Sequence, residues 1–329
     1  MLHKNKFNSR PGPVFFLIVL VSCFLSNGCN FPGDQNIIET SGKFVSVNGH
    51  NLWIETMGKG KPLFLIAGGP GSSHGGMHSF DGLCDSSMLV FIDNFGRGRS
   101  DTALIPSEYS IENDVKDLDA IRLSLGFDKI NILGHSYGSL VAQSYAVNHS
   151  QHVDHLIIVS GLYSGKMWQE TNMDYNYIFS TQMPEVWDSI CILREKGFRS
   201  SDQQHFKLYE KFPLSLVHDY CPDHDFNYED SCAVTFNHKV YYQIVGDDGD
   251  FTLSGDAAKY DITDQLKTLD MATLIIAGRY DRMCSPKFTL QYKKFCPQSL
   301  FLMFENSGHN PQIDEKQLFI DEVNAFLKN

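Results

Sequence analysis

The pentapeptide Gly134-His135-Ser136-Tyr137-Gly138 constrains this chain more than any other stretch. It follows the apolar run Lys129-Ile130-Asn131-Ile132-Leu133 and precedes a segment with helical spacing. A serine on a sharp strand-to-helix turn has strained backbone angles, and a side chain two residues to either side would strike the neighbouring strand or helix. Glycine at both flanks therefore marks Ser136 as a candidate nucleophile. From Ser139 to Asn148 the residues Leu140, Val141, Ala142, Tyr145 and Ala146 gather on one helical side. The positive N-terminal end of such a helix points at the nucleophile and favours negative charge developing there.

A nucleophilic serine needs a base and a group that orients the base, and on this kind of turn the chain order is serine, acid, histidine. Thr273 to Gly278 reads as a short apolar strand, with Asp281 in the loop just past its end. Asp256, Asp261 and Asp270 compete for the acid role, but none directly follows a strand. A second apolar strand, Ser299 to Phe304, runs into Glu305-Asn306-Ser307-Gly308-His309-Asn310-Pro311, so His309 sits on a glycine-flanked loop at the same sheet edge. That position singles it out from the other histidines as the base.

A third strand, Lys61 to Ile66, leads into Ala67-Gly68-Gly69-Pro70-Gly71-Ser72. Glycines let substrate approach the backbone closely, so the amides of Gly69 and of Tyr137, the residue after the nucleophile, are the expected oxyanion donors. Gly68 and Pro70 are expected beside the substrate. The loop has neither the GxGxxG pattern nor the Gly-Lys-Ser/Thr ending of a nucleotide site.

These blocks resemble the α/β-hydrolases, and within them the proline iminopeptidase (prolyl aminopeptidase) group of serine peptidases. The resemblance rests on Gly68-Gly69-Pro70-Gly71, on Asp93-Asn94-Phe95-Gly96-Arg97-Gly98-Arg99-Ser100, on the serine turn, and on Gly278-Arg279-Tyr280-Asp281 with Ser307-Gly308-His309. It covers residues 40 to 160 and 262 to 329, leaving the middle unmatched. Ala67 stands where the family usually has histidine, and Asn94-Phe95 where it usually has Gln-Arg. The resemblance implies a Ser136-His309-Asp281 triad and an aminopeptidase that removes one N-terminal residue from small peptides. An esterase or amidase of the same fold, acting on a small acyl substrate, is the alternative. A non-catalytic surface-binding lipoprotein is a third reading, opposed by the complete set of catalytic elements.

Strands expected near 43–48, 51–57, 62–67, 88–93 and 155–160, with a helix at 111–125, alternate in the manner of an α/β fold. Their continuous apolar runs imply a mostly parallel sheet covered by helices on both faces, with ligands at the C-terminal strand edge. The Asp93 to Ser100 block is expected to fix a turn beneath the site. Residues 161–261 break the rhythm and are dense in aromatics, including Trp168, Tyr175, Phe179, Trp187, Tyr209, Phe212 and Tyr241. They read as an inserted helical cap between the halves of the catalytic domain at 41–160 and 262–329. Most of its rings should pack the cap's own core, and a few should line a pocket.

An aminopeptidase must hold a free ammonium group with carboxylates or carbonyls. Arg282 follows Asp281 where some relatives of the family carry an acid, so the cluster Asp247-Asp248-Gly249-Asp250 becomes the best source, with Glu170, Asp174 and Asp219 behind it. A solvated turn is the plainer reading of such a cluster.

A net charge of −12 makes nucleic acid a poor partner, since that needs a basic surface. No metal or organic cofactor is called for. Cys221-Pro222-Asp223-His224-Asp225 lacks a second ligand cluster at zinc-like spacing. At the N-terminus, Lys4, Lys6 and Arg10 precede the apolar stretch Val14 to Leu25, which is short of the ~20 residues of a membrane span. Residues 1–22 therefore read as an export signal and 23–40 as a tether. Leu20-Val21-Ser22-Cys23 resembles the lipobox of bacterial lipoproteins, with Cys29 a weaker candidate, so membrane attachment through lipid on Cys23, facing the periplasm or cell surface, is expected. Six further cysteines follow, and Cys221 with Cys232 is the most plausible bridge.

Overall fold

The computed structural model describes residues 41–212 and 234–328. Cys23, Cys29, Asp219, Cys221 and Cys232 lie outside the described residues. The chain opens with a hairpin of β1 (Ser41–Val47) and β2 (His50–Met57), joined by Asn48-Gly49. Both turn residues take positive φ, 48° and 89°, as a tight two-residue hairpin loop demands. Then come β3 (Lys61–Ile66), β4 (Ser87–Asp93), β5 (Ile130–His135), β6 (Val153–Val159), β7 (Ala272–Gly278) and β8 (Leu300–Phe304). They form an eight-stranded sheet in the order β1-β2-β4-β3-β5-β6-β7-β8. Pairing is antiparallel from β1 to β2 and β2 to β4, and parallel elsewhere.

Alternation along each central strand divides the core in two. Phe64 and Ile66 of β3, Ile132 of β5, Ile158 of β6 and Ile275 of β7 face one apolar layer. Leu63, Leu65, Leu133, Ile157, Leu274 and Ile276 face the other. The first layer is covered by α1 (Ile111–Ser124) and α2 (Tyr137–Asn148), the second by the 3-10 segment His74–Leu83 and by the C-terminal helix Lys316–Leu327. Burial on both faces explains why the central strands read as unbroken apolar runs. In α2, Leu140, Val141 and Tyr145 are fully buried, each contributing roughly 1.5–3 kcal/mol. A charged residue at Val141 would break that contact.

The cap begins and ends at one place. Ser164 and Asp261 form an isolated bridge, and Gly165 N–H donates to Tyr260 O at 2.7 Å. Between them lie α3 (Gly165–Gln182), α4 (Pro184–Glu195), α5 (Gln203–Tyr209) and α6 (His238–Val245). Tyr175, Phe179, Ile190 and Phe212 form a separate small core there, flanked by Trp187, Tyr209 and Phe251. Tyr177, by contrast, is exposed. Cys84, Cys191, Cys284 and Cys296 are free thiols. Among the described residues no helix is long and apolar enough to cross a membrane.

Candidate active site

Ser136 has φ 51° and ψ −122°, a conformation that costs on the order of 1–3 kcal/mol for a residue other than glycine. The neighbours hold it there. Ser136 N–H donates to Val159 O at 3.0 Å, and Ser136 O accepts from Ser139 N–H at 3.0 Å and Ser139 Oγ at 2.6 Å. A Cβ on Gly134 would collide with the backbone of Gly138, and one on Gly138 with the carbonyls of Ile66 and Ala67. Both glycines are thus required by close approach, and the serine begins α2 at its positive end.

His309 Nδ1 lies 2.9 Å from Asp281 Oδ2. The other oxygen, Oδ1, accepts the amides of Met283 and Cys284, each at 2.8 Å. A carboxylate can only accept, so His309 donates from Nδ1 and turns Nε2 away from the acid. Burial alone would raise the Asp281 carboxyl, but the imidazole and the two amides outweigh it and hold the group below its ordinary value. The two loops cross at Gly278, where any Cβ would strike Gly308 O, and are tied by Tyr280 N–H to Ser307 O at 2.9 Å.

His135 is a residue that the sequence pattern leaves unassigned. Its Nε2–H donates to His309 O at 3.0 Å and its ring centroid stands 5.0 Å from that of His309. Burial, then the nearby His309, lowers its pKa to about 4, so it stays neutral and braces the histidine loop. The variable position of GxSxG gives no signal for such a role.

Gly69 has φ 69°, a left-handed conformation natural to glycine. A Cβ on Gly68 would stand 3.0 Å from Ser136 Cβ, so this loop runs directly against the serine. Arg97 fixes it from beneath. Its Nε donates to Pro70 O at 2.7 Å, and its two terminal nitrogens grip Asp114 at 2.6 and 2.9 Å. Asp114 also accepts from Tyr137 Oη at 3.0 Å. One buried guanidinium therefore links the glycine loop, α1 and the residue after the serine.

Ser136 and His309 open onto a cavity of about 550 Å³ between sheet and cap, with Gly68, Gly69, Pro70 and Tyr137 along its floor. Trp168, Tyr175, Tyr209, Phe236 and Tyr241 make much of its cap wall, and Asp250 supplies a carboxylate there. The acidic cluster is split. Asp248 is gripped by Arg194 at 2.6 and 2.7 Å, while Asp247 is exposed; neither lines the cavity. Asp250 accepts from Tyr241 Oη at 3.1 Å, and burial raises its pKa to about 6. Thr171 Oγ1, buried without a hydrogen-bond partner, belongs to the same wall. Of the remaining acids, Asp174 pairs with Lys287 at 3.1 Å, Asp256 accepts Ile111 N–H at 2.9 Å, and Glu170 is outside the lining.

The sheet order, the serine turn and the acid–histidine pair define a hydrolase architecture, and residues 61–316 match the family profile described as alpha/beta hydrolase fold. The chain belongs to that family. Over 299 residues it is 26% identical to a proline iminopeptidase of Heyndrickxia coagulans, covering 87% of this chain and 98% of that protein. In solved structures, the proline iminopeptidase of Mycobacterium smegmatis superposes with a TM-score of 0.73 at 20% identity, covering 88% of this chain and 98% of its own. An esterase from Exiguobacterium antarcticum superposes with a TM-score of 0.63 at 19% identity, covering 88% of this chain and 100% of its own. At those identities the structural likeness speaks to the fold.

Proposed function

We propose that the chain is a serine aminopeptidase of the proline iminopeptidase type, and that Asp250 selects substrates with a free N-terminal amine. The observation that carries this reading is the position of that carboxylate in the wall of the cavity onto which Ser136 and His309 open. Ser136 Oγ attacks the first carbonyl of the peptide as His309 takes its proton. Asp281 keeps the imidazole in the tautomer that makes this possible and stabilises the imidazolium. The amides of Gly69 and Tyr137 receive the oxyanion, the shortened peptide leaves with the proton from His309, and water repeats the sequence on the acyl-enzyme.

At pH 7 Asp250 is mostly ionised, and an ionised carboxylate in an aromatic wall attracts an ammonium strongly. Asp250 and Ser136 line the same cavity, and the aromatic rings of its cap wall would pack against the apolar surface of the N-terminal residue. The test is a panel of aminoacyl-arylamides, their N-acetyl counterparts and short-chain nitrophenyl esters. Preference for the free amines supports the aminopeptidase. Better turnover of blocked amides or plain esters replaces it with the esterase reading.

The N-terminal sequence supports export and lipid attachment at Cys23, so the expressed protein is expected to partition into detergent and Cys23→Ser to remain unprocessed. A mature N-terminus at residue 24 or beyond without lipid would point instead to secretion or to processing at Cys29.

A further inference from the structure

Behind the segment whose residues Ser73, Gly76, Met77 and Ser79 line the cavity, three side chains from two parts of the chain meet. His74 Nε2 lies 3.6 Å from Glu55 Oε2, and His78 Nε2 lies 3.9 Å from Glu55 Oε1. One ligand atom from each of the three falls within 4.8 Å of the other two. We propose that Glu55, His74 and His78 form a site for a divalent transition metal, with Zn²⁺ as its natural occupant.

The hydrogen bonds on the far sides of the rings argue for this. His74 Nδ1–H donates to Asp93 Oδ1 at 2.8 Å, and the same oxygen takes the His74 amide at 2.7 Å. His78 Nδ1–H donates to Asp81 Oδ1 at 3.0 Å. Because both partners are carboxylates and can only accept, each ring carries a proton on Nδ1 and turns Nε2 toward Glu55. A carboxylate behind each ligating imidazole is the usual outer shell of a zinc site, where it fixes the tautomer and raises ligand basicity.

At the front of the cluster the donor atoms of all three side chains face one another. Two imidazole nitrogens and a carboxylate converge at distances too long for hydrogen bonds, and His78 Nε2 is buried with no hydrogen-bond partner. Zn–N and Zn–O bonds of roughly 2.0–2.2 Å put tetrahedral ligand atoms about 3.3–3.6 Å apart. The two imidazole-to-carboxylate distances, 3.6 and 3.9 Å, are within a few tenths of an ångström of that spacing, and all three ligand atoms lie within 4.8 Å of one another. Phe91 stacks beneath His78 with ring centroids 4.3 Å apart and an interplanar angle of 18°, which limits the ring to small movements. Two histidines and one carboxylate leave a fourth position for water. Nothing in this cluster touches Ser136, so the ion would brace the cavity wall, clamping the 3-10 segment to β2 and, through Asp93, to the end of β4. The inference is independent of which bond the enzyme cleaves.

The test uses full-length protein stripped with a chelator and titrated with Zn²⁺ against a chromophoric competitor. One equivalent should bind and raise Tm by roughly 4 °C or more at one hundred times Kd. Glu55→Gln and His78→Asn should each weaken binding by at least the roughly 10–100-fold that loss of an outer-shell partner costs, and Asp81→Asn by about 10-fold. Co²⁺ in place of Zn²⁺ should give the strong visible bands of a four-coordinate site without a thiolate charge-transfer band, a readout on the unsubstituted protein that stands even if a variant fails to fold. Absence of stoichiometric binding, equal affinity in folded variants, or a thiolate band pointing to the cysteines would each overturn the proposal.

Discussion

The loops at the edge of the sheet and the wall of the cap face each other across one cavity, yet they are built on different principles. At the sheet edge each functional group is fixed by backbone geometry close to it in sequence. Ser136 is held by flanking glycines that close approach requires, and Asp281 by amides two and three residues ahead. In the cap, Asp250 is positioned by partners spread along the insertion. Tyr241 bonds its carboxylate and Asn176 its backbone carbonyl, the latter at 2.8 Å. In the proposed reading, chemistry is carried by short motifs and selectivity by tertiary packing. Changes at the edge should destroy turnover for every substrate, whereas changes in the cap should sort substrates.

The largest effect is expected at the edge. Ser136→Ala should lower kcat on the order of 10⁶-fold for amide and ester alike, with His309→Ala similar and Asp281→Asn near 10⁴-fold. Folding should be retained by circular dichroism. Residual activity above a few per cent in clean Ser136→Ala protein would remove the serine mechanism.

Arg97→Leu should destabilise the whole fold by about 3–5 kcal/mol, because it leaves Asp114 buried without its guanidinium. Urea unfolding measures this. A midpoint close to wild type would show that the brace beneath the glycine loop is dispensable.

The two neighbouring cap acids offer the sharpest contrast, since conservative changes should move stability in opposite directions. Asp248→Asn breaks a two-point ion pair with Arg194 and should cost about 1 kcal/mol with little change in KM. For Asp250 the native pKa is raised from 3.8 to about 6, so its ionised form opposes folding. That cost is absent below 3.8, grows as pH rises, and is complete above about 6. At pH 7, Asp250→Asn should therefore stabilise the fold, by on the order of 1–3 kcal/mol. Equal destabilisation by both changes would make Asp250 an ordinary structural acid.

The smallest effect is a pH dependence. As pH falls through about 6, Asp250 becomes neutral and loses its attraction for an ammonium group. The ratio of kcat/KM for a free-amine substrate to that for an ester should decline over that interval. The ratio cancels whatever pH dependence the two reactions share, and in Asp250→Asn it should be flat.

The sheet half was largely legible in the sequence. Apolar runs located β3, β5, β6, β7 and β8 to within about two residues, and the loops after them supplied Gly69, Asp281 and His309. A glycine between an apolar run and a helix reports backbone crowding that is already local. The rest depends on contacts that residue spacing does not encode. Asp248 and Asp250 look equivalent in Asp247-Asp248-Gly249-Asp250; Arg194, 54 residues away, claims one of them. His135 acquires its role from a carbonyl 174 residues further along. The pair His74 and His78 acquires a third partner only when β2 brings Glu55 alongside.

The most direct measurement compares one aminoacyl-arylamide with its N-acetyl form in wild type and Asp250→Asn. Wild type should favour the free amine, and the substitution should raise KM for it by ~10-fold or more while leaving the blocked substrate nearly unchanged. A wild type that prefers the acetylated compound, or an Asp250→Asn variant that treats both as wild type does, would contradict an aminopeptidase selected through Asp250.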